Sequence, residues 1–395
     1  MGVKRTFVGL VVAGAVAVIA SAGLRAQAGG GAVTFKLGTF DQGGRTFLGL
    51  VLRDSQIVDI ARANTAYEQA NGSAPKLTAP ADMKQLITRY DNEWRARLLA
   101  IARTIPATGA PAYVFAVNAV KILPPVRPSV QLNAGGNYVE HEQGIATNQA
   151  RGGGAPAARG GAAGGAAAGG GAAAGGRGPA PAPVSVPGIW ERKPGDTRDN
   201  PYLFLKAPNV IIGANDPIVI PRGRVQIDWE CEFATVIGKP AHYVPVDKAA
   251  DYVFGYTAHH DVSDRGGRGD RKMGGSDWYV QKNHDTFGPL GPYIVPKEFI
   301  KDPMNVRHTM YLNGMVVQDS NTRNMSHNIY ELLAFGSSIL TLNPGDVISG
   351  GSPAGTNIER ADPRWMRAGD TAKCDIEGIG ALNNPVVAES ANSTR

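Results

Sequence analysis

The chain has very little cysteine. Only Cys231 and Cys374 occur in 395 residues, and no Cys-x-x-Cys spacing exists. This excludes a cysteine-based zinc site and a disulfide framework of the kind that staples small secreted domains. Cys231 falls in an apolar run, so a buried thiol is expected there, although an oxidising compartment would permit one disulfide. A strong charge of one sign is also missing. The formal net charge is +6, and Lys4, Arg5 and Arg25 sit at the extreme N-terminus, which leaves the rest near +3. So small an excess points to neither nucleic acid nor an anionic membrane as partner. Beyond Leu24 no apolar run is long enough to span a bilayer, so stable membrane insertion is not expected of the rest of the chain.

The first segment that is present reads as an export signal. Lys4-Arg5 precedes an apolar run from Phe7 to Leu24, and Ala26-Gln27-Ala28 supplies a small-x-small cleavage site. The run is near the roughly 18-residue lower limit for a spanning helix, so an uncleaved anchor is the alternative. Residues 1–28 are read as a signal peptide, and the mature protein as periplasmic or secreted.

From Val33 to Ile60, short apolar runs alternate with Gly43-Gly44 and Asp54-Ser55, the pattern of an antiparallel meander. Between Asp82 and Thr104, Met83, Leu86, Ile87, Tyr90, Trp94 and Leu98 recur at helical spacing. Residues 29–128 therefore read as a small α+β N-terminal domain, closed by Pro124-Pro125 and Pro128. Residues 129–388 form a second domain, mostly β, with strands over Val225–Gly238, Tyr252–Thr257, Thr309–Asn313 and Asp346–Ser349 and a helix over Ser326–Phe335. It is interrupted at 144–200 by an insertion whose centre is almost wholly Gly, Ala, Pro and Arg. Such a run has little to bury and is expected to be disordered. Residues 389–395 are a tail.

The chemistry concentrates in Asp228-Trp229-Glu230-Cys231-Glu232-Phe233. On a strand, Glu230 and Glu232 share a face, about 7 Å apart, while Cys231 and Phe233 point the other way. Two carboxylates on one face of an apolar strand repel each other unless a cation lies between them; the alternative is an ordinary solvated acidic surface. Asp261 follows in a strand that runs into a glycine-rich loop. Three carboxylates make a hard oxygen site suited to Mg²⁺, or to Mn²⁺ or Ca²⁺. His259 and His260 face opposite ways, so at most one could join Asp261, and structural roles are expected for them.

The runs Pro201–Lys206, Trp229–Glu232, Gly255–Thr257, Asp261–Arg265, Phe287–Pro292, Leu342–Ile348 and Gly351–Gly355, in this order, resemble the fumarylacetoacetate hydrolase family over roughly residues 130–388. The resemblance implies a mixed β-roll catalytic domain, usually a homodimer, with a divalent metal on Glu230, Glu232 and Asp261. It implies that Lys282 contacts both metal shell and substrate, that Arg265 pairs with a substrate oxygen or carboxylate, and that Gly351-Ser352-Pro353 holds a carboxylate with the Ser352 hydroxyl. Asn137-Tyr138-Val139-Glu140-His141 matches the family's Asn-Tyr-x-x-His, which gives His141 as acid-base residue and Tyr138 as a substrate contact. The family's acid three residues after the histidine is missing: Gly144 stands there, and Glu142 is the nearest carboxylate. Glu142 is the expected partner of His141.

These residues imply a hydrolase that cleaves a C–C bond in a small 1,3-dicarbonyl or oxo-acid through a metal-stabilised enolate. Without a competent acid beside His141, a decarboxylase, isomerase or hydratase on the same metal site is the alternative. A reading of another class is an exported ligand-binding protein that keeps the cation site and has lost turnover.

Overall fold

The computed structural model describes residues 33–150, 195–196, 198–268 and 277–390. The expected signal peptide, the Gly/Ala-rich centre of the insertion and most of the tail lie outside them.

β1 (Lys36–Gln42) and β2 (Arg45–Leu52) form a hairpin over Gly43-Gly44, both at positive φ. Glycine takes that geometry at no steric cost. β3 (Gln56–Asp59) extends the meander, and Asp59 caps α1 (Ile60–Ala70) by accepting the Arg62 N–H. α2 (Met83–Thr88) and α3 (Arg95–Thr104) are joined by a π-helical turn, Tyr90–Trp94, and bury Leu86, Tyr90, Trp94 and Leu98 as the periodicity requires. Then come β4 (Val114–Ala116), β5 (Lys121–Leu123), β6 (Gln131–Gly135) and α4 (Val139–Ala150). The chain continues with β7 (Tyr202–Lys206), β8 (Ile211–Ile212), β9 (Ile218–Ile220), β10 (Ile227–Asp228), β11 (Cys231–Ile237), β12 (Val253–His260) and β13 (Ser263–Asp264). α5 (Trp278–Lys282), β14 (Gly288–Pro296), β15 (Arg307–Leu312), β16 (Met315–Asn321), α6 (Ile329–Ile339), β17 (Val347–Ser349), β18 (Thr371–Ile376) and β19 (Gly380–Ala388) complete it.

Among the described residues, twelve strands make one mixed sheet whose main path runs β4-β3-β2-β1-β14-β12-β11-β17-β6-β7, and five make a second, β16-β15-β18-β19-β9. β11 is central in the first sheet and fully buried. Phe233, Met310, Cys374 and Leu382 belong to one continuous apolar core. This is the expected α+β, mostly-β class.

Four expectations need correction. The N-terminal meander is not a separate domain: β1 pairs with β14 at Leu37↔Ile294, and Thr34–Arg395 forms one compact unit. Pro125, read as part of the closing boundary, accepts the Thr39 hydroxyl of β1 at 2.9 Å. The insertion begins later than residue 144, because α4 continues through Ala150. Cys231 is not a free thiol; it is bonded to Cys374, 143 residues away, and so links the first sheet to the second. The strand expected over Val225–Gly238 is also broken, with Trp229 and Glu230 lying between β10 and β11.

Candidate active site

Register brings the three carboxylates together. β11 and β12 pair Glu232 with His259 and Cys231 with His260. The next residues outward, Glu230 and Asp261, therefore come level, and the Asp261 N–H donates to the Glu230 carbonyl at 2.9 Å. One carboxylate oxygen from each of Glu230, Glu232 and Asp261 lies within 4.8 Å of the others, and all three residues are buried.

Cations crowd the same place. Lys282, at the end of α5, donates to Glu230, Asp261 and the Ser263 hydroxyl, each at 2.7 Å. Lys206, the last residue of β7, donates to Asp261 at 2.5 Å. Arg265 bonds Glu230 and, at 3.0 Å, Asp228. With Asp228 included, four buried carboxylates face three cations. Burial pushes Lys282 toward the neutral form, but Asp261 and Glu230 outweigh it and raise its pKa above the usual value. For Asp261, burial acts upward, yet Lys206 and Lys282 bring the carboxyl far below its normal range. Glu232 is the exception. Burial, then the charges of Asp261 and Glu230, push its carboxyl well up. Its Oε2 accepts from Ser349, and its Oε1 has no hydrogen-bond partner. An orphaned, buried carboxylate oxygen beside two other carboxylates is what a cation would satisfy, and the all-oxygen donor set fits Mg²⁺, Mn²⁺ or Ca²⁺.

His259 is occupied structurally: its Nδ1 meets the Pro289 carbonyl and its Nε2 the Gln131 side chain, both at 3.0 Å. Neither His259 nor His260 belongs to the acidic cluster.

Above the carboxylates lies a cavity. His141, Glu230, Arg265, Lys282 and Ser352 supply its polar side, and Phe204 and Trp278 belong to its apolar side. The two rings stack with centroids 4.5 Å apart, and Lys282 Nζ lies 5.3 Å from the centre of Phe204.

The acid partner of His141 differs from the expected one. Nδ1 of His141 is 2.5 Å from Oε1 of Glu359, so Glu359, not Glu142, completes the pair. Adjacent residues on a helix do not share a face, and the Glu142 carboxylate lies instead over Gly136. Burial raises the Glu142 carboxyl. Glu359 is also gripped by the N–H groups of Gly355 and Thr356 and by the Thr356 hydroxyl. Burial alone would raise its pKa, but the bond to His141 and these donors hold it below the ordinary carboxylate range. A Cβ on Gly144 would stand 2.6 Å from Oε2 of Glu359. The space left by the missing acid at 144 is thus filled by a carboxylate from a distant turn.

Tyr138 also departs from expectation. It is wholly buried and its hydroxyl meets His308 at 3.1 Å, behind the cavity rather than in it. Three contributors had no assigned role in the sequence reading. Lys206 could have been found, because it shares the inward face of β7 with Phe204 at period two. Asp228, which holds Arg265 and accepts from Asn357, and Glu359 gave only local signals; Thr356-Asn357-Ile358-Glu359 has capping-box spacing.

Comparison with known proteins gives a consistent picture. The family model for the fumarylacetoacetate (FAA) hydrolase C-terminal domain matches residues 184–387, just over half of the chain. A mitochondrial oxaloacetate tautomerase of Xenopus laevis is 43% identical over 187 residues, 47% of this chain. The match spans 58% of that relative's own length. Among solved structures, 5-carboxymethyl-2-hydroxymuconate delta-isomerase from Mycobacterium smegmatis superposes with a TM-score of 0.57 at 26% identity, covering 90% of this chain and 99% of that one. Maleylpyruvate hydrolase from Sphingobium sp. SYK-6, in complex with manganese(II) ion and pyruvate, gives 0.59 at 25% identity, covering 90% and 100%.

Proposed function

Because the chain belongs to the fumarylacetoacetate hydrolase family, we propose that it is a divalent-metal-dependent enzyme that hydrolyses a C–C bond in a small 1,3-dicarbonyl or oxo-acid by way of its enolate. The observation that carries this reading is the His141–Glu359 pair at 2.5 Å beside the three convergent carboxylates. Glu359 supplies the acid that hydrolysis needs and that the sequence around Gly144 lacks.

Glu230, Glu232 and Asp261 would hold the cation, which when bound draws electron density from the substrate's oxygens and lowers the cost of an enolate. Everything else falls to the chain's own residues. Glu359 fixes the His141 ring with Nδ1–H toward the carboxylate, leaving Nε2 to take a proton from water. Lys282 and Arg265 neutralise the anionic substrate, and the Ser352 hydroxyl donates to its carboxylate. Phe204 and Trp278 keep bulk water from one side of the cavity, which strengthens those charge interactions.

A second reading is tautomerisation of a 2-oxo acid, with His141 moving a proton at carbon instead of activating water. The 43% identity to an oxaloacetate tautomerase favours it. Export belongs to the same proposal, supported by the Cys231–Cys374 disulfide, since such bonds persist in oxidising compartments. Among the described residues no helix is long and apolar enough to cross a membrane.

The deciding experiment measures Mn²⁺ and Mg²⁺ binding to the wild type and to Glu230→Ala/Glu232→Ala, then assays C–C cleavage of acylpyruvates against enol–keto exchange of oxaloacetate. One ion per chain, lost in the variant, with cleavage of the diketo acid, supports hydrolysis. Exchange without cleavage selects the tautomerase, and a wild type that binds no divalent ion sinks both.

A further inference from the structure

Cys231 lies between the two glutamates of the acidic cluster, so whatever fixes its peptide units sets the spacing of Glu230 and Glu232. Every polar group of Cys231 that could do so is engaged from the second sheet. Its N–H donates to Oε1 of Gln318 on β16 at 3.0 Å. Its carbonyl lies 3.0 Å from Nδ1 of His308 on β15. Its sulfur is bonded to Cys374 on β18. His308 and Gln318 are almost wholly buried and Cys374 entirely so; none of the three lines the cavity.

The hydrogen-bond roles are fixed by the partners. A carbonyl can only accept, so His308 carries its proton on Nδ1, and Nε2 accepts from the Tyr138 hydroxyl at 3.1 Å. Likewise the Pro353 carbonyl can only accept, so Nε2 of Gln318 donates to it at 2.8 Å and also reaches the Ser352 hydroxyl at 3.0 Å. One side chain therefore joins the ligand strand to the turn proposed to hold the substrate carboxylate. The other joins it to Tyr138, three residues before His141.

The geometry points to a clamp: Gln318, His308 and Cys374 are positioning residues that set the bite of the Glu230–Glu232 pair and hold it in register with the Ser352 turn and the His141 helix. The physical reason is that a multidentate cation site depends on separations good to fractions of an ångström. Outer partners of metal ligands commonly change affinity roughly 10–100-fold when removed. A merely structural set of core contacts would change melting temperature and leave ion affinity alone.

The inference rests on the metal reading above, and the test separates the two. Mn²⁺ isotherms at 25 °C, KM, kcat and melting temperature are measured for the wild type, for Gln318→Leu and for Cys231→Ala/Cys374→Ala. Gln318→Leu is expected to weaken Mn²⁺ at least about 10-fold and to raise KM, because it frees both Cys231 and Ser352. The cysteine pair variant keeps the two polar ties; it is expected to weaken Mn²⁺ roughly threefold or more with KM unchanged. The clamp is overturned if the folded variants melt earlier yet keep Mn²⁺ affinity and KM within about twofold of wild type. If Gln318→Leu does not fold, the cysteine pair decides by its Mn²⁺ affinity alone. A wild type that binds no Mn²⁺ overturns the metal reading and the clamp with it, whereas tight wild-type binding with unaffected variants overturns the clamp only.

Discussion

At the residue scale, the exchange of acids beside His141 is the most consequential feature. Glu359 makes the contact and Glu142 does not. A base held by a carboxylate contributes about 10²–10⁴ in rate, so Glu359→Gln should lower kcat by at least about 100-fold. Glu142→Gln should stay within about threefold, since its carboxylate lies over Gly136 and not in the hydrogen bond that Glu359 makes to His141. Steady-state kinetics on the pair checks this; equal losses would return Glu142 to the site. The three carboxylates were legible because Glu-x-Glu on a strand is a local pattern and Asp261 ends a second strand. Glu359 was not legible, because its partner is 218 positions away and only folding sets that distance.

At the scale of elements, α4 carries His141 on one turn and Gly144 on the next. Alanine at a helical glycine is ordinarily stabilising by roughly 0.5–1 kcal/mol. Here the added Cβ would meet Oε2, Cγ and Cδ of Glu359 at 2.6, 2.9 and 3.0 Å, and that side chain is pinned by four hydrogen-bonding groups. Gly144→Ala should therefore lower kcat by about 10-fold or more by displacing the acid, with a melting temperature that does not fall in proportion. If kcat is unchanged, Glu359 moves freely and the pairing is not constrained by the helix. The same scale explains one misread boundary. α4 has Gly144, Ala146 and Ala150 where an apolar stripe would announce a helix, so it blended into the low-complexity run that follows. The Asp82–Thr104 helix was legible because its buried residues repeat regularly, although the π turn at Tyr90–Trp94 was not.

For the whole molecule, the disulfide and the buried histidines set the conditions under which the fold holds. A cross-link closing a loop of this length removes about 4–5 kcal/mol of chain entropy from the unfolded state. Cys231→Ala/Cys374→Ala should lose about 3–5 kcal/mol in guanidinium unfolding; a loss below 1 kcal/mol would show that the two sheets need no staple. Burial pushes His308 down to about 4, against an unfolded value near 6.5. The unfolded chain therefore binds the extra proton first as pH falls. The stability His308 contributes is complete above about pH 6.5 and is lost progressively down to about pH 4. Thermal melts across that window should show a declining melting temperature. His308→Gln, which keeps a donor for the Cys231 carbonyl and does not titrate, should flatten part of the slope; an unchanged slope would locate the acid sensitivity elsewhere.

The class of fold, the acidic triad and the family resemblance are legible along the chain, since each is written in local periodicity, strand alternation or short motifs. Tertiary structure decided three things that depend on contacts between distant segments. It chose Glu359 as the partner of His141, because α4 leaves a glycine-sized space there. It joined Cys231 to Cys374, because β11 and β18 face each other across the core. It merged the N-terminal meander into the main sheet, because β1 pairs through its backbone with β14, and backbone pairing between remote strands leaves no mark in the order of side chains.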